Sequence, residues 1–160
     1  MVKYALQIQV EAENIEKIGV DKDTFSWWLR LECNGCREKD EKEHYLTLAE
    51  TFPNKTGHGI VHYLAKCKFC SQEQTIEILP ESIRDYVYGE EPQFSTIVIF
   101  DTRGVNPYSF SFREDWIITA KGSSTVFSGV DLSDGEWADW DEKGNQELVI
   151  YKLEYRFVKV

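Results

Sequence analysis

The chain has 160 residues, of which 42% are hydrophobic and 14% aromatic, and it carries a net charge of −10. That length buries a core without staples, and that composition excludes disorder. The acidic balance argues against nucleic acid and anionic membrane partners, and no apolar run reaches the roughly 18–20 residues that span a bilayer.

Strand alternation dominates from the start. Tyr4, Leu6, Ile8, Val10 and Ala12 share one face against Gln7, Gln9 and Glu11. The opening residues Met1 to Gln7 are too polar for a signal-peptide core. A reducing setting, cytoplasmic or shared between cytoplasm and nucleus, is therefore expected. Asn14 is read as the cap of a short turn. Phe25, Trp27, Leu29 and Leu31 repeat the alternation, and Leu46 and Leu48 follow. Ile60 to Cys67 and Thr75 to Leu79 are further strands. After Pro80, residues 81–86 have room for a turn or two of helix.

The pattern resumes beyond Pro92. Phe94 to Phe100 is nearly all apolar, as in a strand buried on both faces. Tyr108, Phe110 and Phe112 alternate with serines, Trp116 to Ala120 is another strand, and Val149 to Phe157 a long one. No window supports a long amphipathic helix. The expected fold is mainly β: an antiparallel, sandwich- or barrel-like single domain over residues 1–160. Two similar β halves, 1–88 and 91–160, are suggested by a faint repeat. Ala5 to Val10 answers Ser95 to Phe100, and Trp27 answers Trp116. Where the first half has Cys33 to Cys36, the second has Lys121-Gly122-Ser123-Ser124.

All four cysteines fall in two Cys-x-x-Cys pairs, Cys33-Asn34-Gly35-Cys36 and Cys67-Lys68-Phe69-Cys70. Two residues between cysteines let one tight turn present both thiolates to one ion, and backbone N–H groups in the turn offset their charge. Two such turns supply the tetrahedral four-thiolate shell that zinc prefers. Gly35 is expected to take the positive φ of its turn. One Zn²⁺ per chain on Cys33, Cys36, Cys67 and Cys70 is the expected cofactor. Four thiolates on Zn²⁺ leave a charge of −2, which Arg37, Lys66 and Lys68 would soften. Iron or copper(I) would also accept such a shell.

Catalysis is not expected. Four cysteines leave no open position on the metal for water. Zinc-bearing methionine sulfoxide reductases share the paired knuckles but need a further cysteine as nucleophile. No βαβ context marks either pair as thioredoxin-like. No nucleophile motif or phosphate loop is present. His58 and His62 precede the second knuckle and are read, with His44, as surface or strand-filling residues. Residues 131–147 hold seven acids against one lysine, with Trp137 and Trp140 inside. This segment is read as an acidic loop with anchored rings, or more sharply as an acidic-aromatic docking surface for a basic protein partner.

Ala5-Leu6-Gln7-Ile8, the two knuckles, Ile76-Glu77-Ile78-Leu79, Phe94 to Phe100 with Arg103-Gly104, Trp137 to Lys143 and Phe157-Val158-Lys159 occur in an order that resembles the eukaryotic CXXC-motif-containing zinc-binding protein family. Relatives carry an Arg-Gly-Ser-Ala-like run where this chain has His58-Gly59-Ile60-Val61. The resemblance implies an all-β fold with zinc on the four cysteines, and it implies no established enzymatic activity. The functional expectation is a soluble, monomeric, non-catalytic zinc protein that acts through protein contacts. The alternatives are a metal-handling protein that passes or buffers zinc or copper, and a thiol oxidoreductase.

Overall fold

The structure, a computed structural model, describes residues 2–54 and 59–160. In chain order the strands are β1 (Val2–Glu13), β2 (Ile15–Val20), β3 (Trp27–Cys33), β4 (Lys39–Leu46), β5 (Phe52–Pro53), β6 (Ile60–Val61), β7 (Tyr63–Lys66), β8 (Glu73–Ile78), β9 (Tyr86–Val87), β10 (Ser95–Arg103), β11 (Val105–Ser111), β12 (Trp116–Ala120), β13 (Val126–Val130), β14 (Trp137–Asp141) and β15 (Gln146–Lys159). The turn after Pro80 is a single 3₁₀ turn, Pro80–Ser82. There is no α-helix among the described residues. Among the described residues no helix is long and apolar enough to cross a membrane.

The mainly β, antiparallel expectation holds. A six-stranded sheet runs β14-β15-β1-β10-β8-β7. Beside it lie sheets ordered β11-β3-β4 and β13-β12-β2-β9, and the small pair β5-β6. The order of the large sheet has a mirror at its centre: exchanging β1 with β10, β15 with β8, and β14 with β7 leaves it unchanged. The same exchange turns β11-β3-β4 into β2-β12-β13.

The sheets close on one core. Leu6, Ile8 and Val10 of β1 and Ile97, Val98 and Phe100 of β10 are buried from the large sheet. Trp27 of β3 meets Phe100 edge-on at 6.2 Å, and Phe25 meets Trp116 of β12 at 5.0 Å. Rings in these edge-to-face arrangements gain attraction beyond the area they bury. β1 outruns its partner β10, whose pairing ends at Ile8 with Ser95. Tyrosine hydroxyls take over there, accepting from Val10 N–H (Tyr86) and Ala12 N–H (Tyr88), both at 3.3 Å.

Several local readings change. Asn14 caps no separate turn; at φ 62° it is the single residue that bends the chain between β1 and β2. β4, the charged run Lys39-Asp40-Glu41-Lys42-Glu43-His44-Tyr45-Leu46, is an edge strand held on β3 by its backbone. The 60–67 strand is two pieces, broken at His62. The acidic Trp137–Asp141 segment is not a loop but the edge strand β14, paired with β15.

Candidate metal centre

Each cysteine pair begins where a strand runs out. β3 ends in Cys33, whose N–H donates to Glu38 O at 2.9 Å, while Arg37 N–H returns to Cys33 O at 3.0 Å. After β7, Cys67 N–H donates to Gln72 O and Ser71 N–H to Cys67 O, both at 2.9 Å. The two turns therefore have one geometry. Each closes on a non-glycine residue in the left-handed region, Arg37 at φ 67° and Ser71 at φ 64°. Gly35 is not that residue, contrary to the sequence expectation. Its missing side chain instead leaves room for Gln72, which a Cβ at 35 would strike.

The join between β10 and β11 sets the turns side by side. β3 hangs on β11, while β7 reaches β10 through β8. At the join, Gly104 accepts the Asn34 N–H at 3.0 Å. It has φ 75°, and a Cβ there would run into the Glu73 carbonyl. Gly104 is thus the tight point between the knuckles. Neither it nor Gln72 was marked as part of the site by cysteine spacing.

The four sulfurs converge. They lie within 4.8 Å of one another. Cys33 and Cys70 Sγ are 3.6 Å apart, as are Cys36 and Cys67 Sγ. Both close pairs cross from one turn to the other. At a Zn–S length of about 2.3 Å, tetrahedral geometry asks for S–S separations of about 3.8 Å. A disulfide needs about 2.0 Å. The donor set fits a soft ion held in common by the two turns. Cys33 is buried at 3% exposure, whereas Cys36 and Cys70 are exposed.

Electrostatics favours thiolate at the first sulfur of each pair. Burial alone would raise Cys33, but the Cys36 and Gly35 N–H groups and the neighbouring thiols pull it down to about 6. Cys67 is lowered by the N–H groups of Cys70 and Phe69. Cys36 receives help from Glu38 N–H, yet burial and the crowding of three other sulfurs push it up to about 12. A cation at the centre removes that repulsion, which couples metal uptake to proton release.

The rim beside the sulfurs carries both signs of charge. Arg37 meets Glu32 at 3.5 Å. Asp40, which burial would raise, is held low by His44 and in part by Lys68. Lys66, Lys68 and Phe69 are exposed, Phe69 by 73%. The histidines stand apart from the sulfurs where they are described. His62 is buried and its Nδ1 accepts Ile78 N–H at 2.9 Å. His44 pairs with Asp40 at 2.8 Å. His58 lies outside the described residues. In β14, Trp137 is half-buried against Phe127 at 5.5 Å, and Trp140 is exposed.

Sequence and structure comparisons agree with this geometry. The pattern of the family described as "CXXC motif containing zinc binding protein, eukaryotic" matches residues 5–158. A Nematostella vectensis UPF0587 protein is 36% identical over the full length of both chains. The CXXC motif containing zinc binding proteins of Xenopus laevis and Homo sapiens are each 35% identical over 99% of both chains. The crystal structure of C1orf123 superposes with a TM-score of 0.95 at 34% identity, covering 99% of each chain. A hypothetical protein from Plasmodium falciparum shares the fold, with a TM-score of 0.88 at 19% identity over 99% of this chain and 100% of that one. With two knuckles of one geometry and four converging sulfurs, the chain belongs to the eukaryotic CXXC motif containing zinc binding protein family.

Proposed function

We propose that the chain binds one Zn²⁺ through Cys33, Cys36, Cys67 and Cys70, that this ion is structural, and that the protein works through protein contacts rather than catalysis. The observation that carries this reading is the convergence of four sulfurs from two separate turns to within 4.8 Å of one another. Four thiolates fill a tetrahedral shell and leave no position for an activated water. The exposed Phe69 at the knuckle tip and Trp140 on β14 are aromatic anchors of the kind that dominate interfaces. They support the contact reading.

Metal analysis of the native protein is the test. About one zinc per chain that resists mild chelation is expected; four freely titrating thiols without metal would sink the proposal. Phe69→Ala with Trp140→Ala should keep the zinc and lose partners in a quantitative interaction comparison with wild type. The second reading, metal handling, is favoured by the exposure of Cys36 and Cys70, since an incoming ligand can reach those sulfurs. Rapid, complete transfer of the ion to a chromophoric chelator of modest affinity would select it over the structural role.

A further inference from the structure

The exchange symmetry of the sheets extends, residue by residue, to a second pair of turns. Arg103 pairs with Thr75 and Thr102 with Ile76, while Glu13 pairs with Val149 and Ala12 with Ile150. Tyr63 faces Ile76 and Lys66 faces Glu73, while Trp137 faces Ile150 and Trp140 faces Glu147. Cys33 lies opposite Val105, and Ala120 opposite Ile15. The turn hydrogen bonds repeat as well. Cys33 N–H to Glu38 O at 2.9 Å is answered by Ala120 N–H to Thr125 O at 2.8 Å. Asn34 N–H to Gly104 O at 3.0 Å is answered by Lys121 N–H to Asn14 O at 2.9 Å. Left-handed residues recur in step: Arg37 and Ser124, Ser71 and Asn145, Gly104 and Asn14.

Cys33, Cys36, Cys67 and Cys70 therefore correspond to Ala120, Ser123, Asp141 and Gly144. The first turn is matched one residue earlier than the sequence comparison with Lys121 to Ser124 suggested. Where the sulfurs converge in one pair of turns, a buried carboxylate stands in the other. Asp141 has 0% exposure. Its oxygens accept from Ser123 Oγ at 2.5 Å, Thr125 Oγ1 at 2.8 Å, Gln146 Nε2 at 2.9 Å and Gly144 N–H at 3.1 Å. Ser123 and Thr125 belong to the first turn, Gly144 and Gln146 to the second. Gln146 also donates to Lys121 O at 2.9 Å.

We propose that these turns form a metal-free twin of the cysteine centre, in which the Asp141 carboxylate ties Ala120–Ser123 to Asp141–Gly144 as a metal ion ties Cys33–Cys36 to Cys67–Cys70. The chemistry is consistent with the exchange. A carboxylate offers about four acceptor sites, and here four donors occupy them, so it needs no cation to be satisfied. Charge-assisted hydrogen bonds are the stronger kind. Glycine at 144 belongs to the design, because a Cβ there would strike the Asp141 carboxylate and Gln146.

Two variants of the metal-loaded full chain test the proposal. Asp141→Asn puts an amide nitrogen against the donors. It is expected to speed amide exchange in residues 120–125 and 141–146 by about ten- to a hundredfold, the loss of one or two charged hydrogen bonds. Metal content and protection of residues 33–38 and 67–72 should not change. Unchanged exchange at 120–125 and 141–146 overturns the tie. The second variant combines Ala120→Cys, Ser123→Cys, Asp141→Cys and Gly144→Cys. Given zinc, it is expected to hold one equivalent more than wild type. If Asp141→Asn fails to fold at all, this variant decides: a graft that takes up no extra equivalent, or that does not fold in excess zinc, overturns the correspondence.

Discussion

At the scale of single residues, burial converts polar side chains into fixed parts. His62 is buried, and its Nδ1 accepts Ile78 N–H, so the folded ring is neutral with its proton on Nε2. Desolvation lowers its pKa below the value of about 6.5 expected in an unfolded chain. As pH falls, the unfolded state takes up the proton first. The contribution of His62 is therefore complete above about pH 6.5 and is lost as pH drops through that value toward the lowered folded pKa. His62→Asn keeps an acceptor near the Nδ1 position without the titration. Its melting temperature should lie below that of wild type at about pH 7.5, and the gap should narrow by about pH 5.5; a constant gap across that window would contradict the assignment. The residue scale also shows what a sequence can tell. Four cysteines in two pairs announce themselves, because spacing is local information. Asp141 does not. Within an acidic run it looks like solvated charge, and only the fold brings Ser123 and Thr125 to it across more than a dozen residues.

At the scale of elements, the join between β10 and β11 controls the centre. Gly104 combines a left-handed φ of 75° with a Cβ position blocked by the Glu73 carbonyl. Gly104→Ala meets both the conformational penalty and a backbone clash that cannot rotate away. A loss of about 2–3 kcal/mol is expected in denaturant unfolding. Because Gly104 O holds Asn34 N–H, the first knuckle should loosen too, and the variant should lose zinc to a chelator faster than wild type. A variant with wild-type stability and wild-type metal release would show that the join is slack. β15 was legible as a strand but not in its facing: Leu148 and Ile150 are buried, whereas Tyr151 and Tyr155 are exposed. β1 and β3 were fully legible, because the burial pattern reproduces their period-2 alternation over most of their length. β4 and β14 were not. Both are edge strands without a period-2 apolar face: β4 is a nearly continuous charged run, and β14 exposes Ala138, Asp139 and Trp140 and buries Asp141, so their pairing rests on backbone hydrogen bonds that side-chain periodicity does not report.

At the scale of the molecule, the two ends of one sheet system carry different chemistry, four cysteines at one and a buried carboxylate at the other. β1 and β10 pair at the centre of the large sheet, and each also pairs on its far side, β1 with β15 and β10 with β8. The cysteine turns lie at the ends of β3 and β7, and the Asp141 turns at the ends of β12 and β14. Thiolates release a metal to a chelator or to acid, because their protons compete for the same sulfurs. The Asp141 carboxylate should respond to neither chelation nor mild acid. The Ser123 hydroxyl, helped by Gln146, Thr125 and Gly144, holds it well below the usual carboxylate range against the burial that would raise it. Its contribution is present above the unfolded pKa of about 3.9 and fades only as pH falls below that toward the depressed folded value. Chelation at neutral pH should therefore open one end of the molecule. Amide exchange is expected to quicken in residues 33–38 and 67–72, while residues 120–125 and 141–146 and the paired centres of β1 and β10 keep their protection. Uniform loss of protection on chelation would mean that the metal holds the whole fold. That outcome would favour a folding cofactor over a local tie, because a shared six-stranded sheet with its own buried core has no need of metal at its centre.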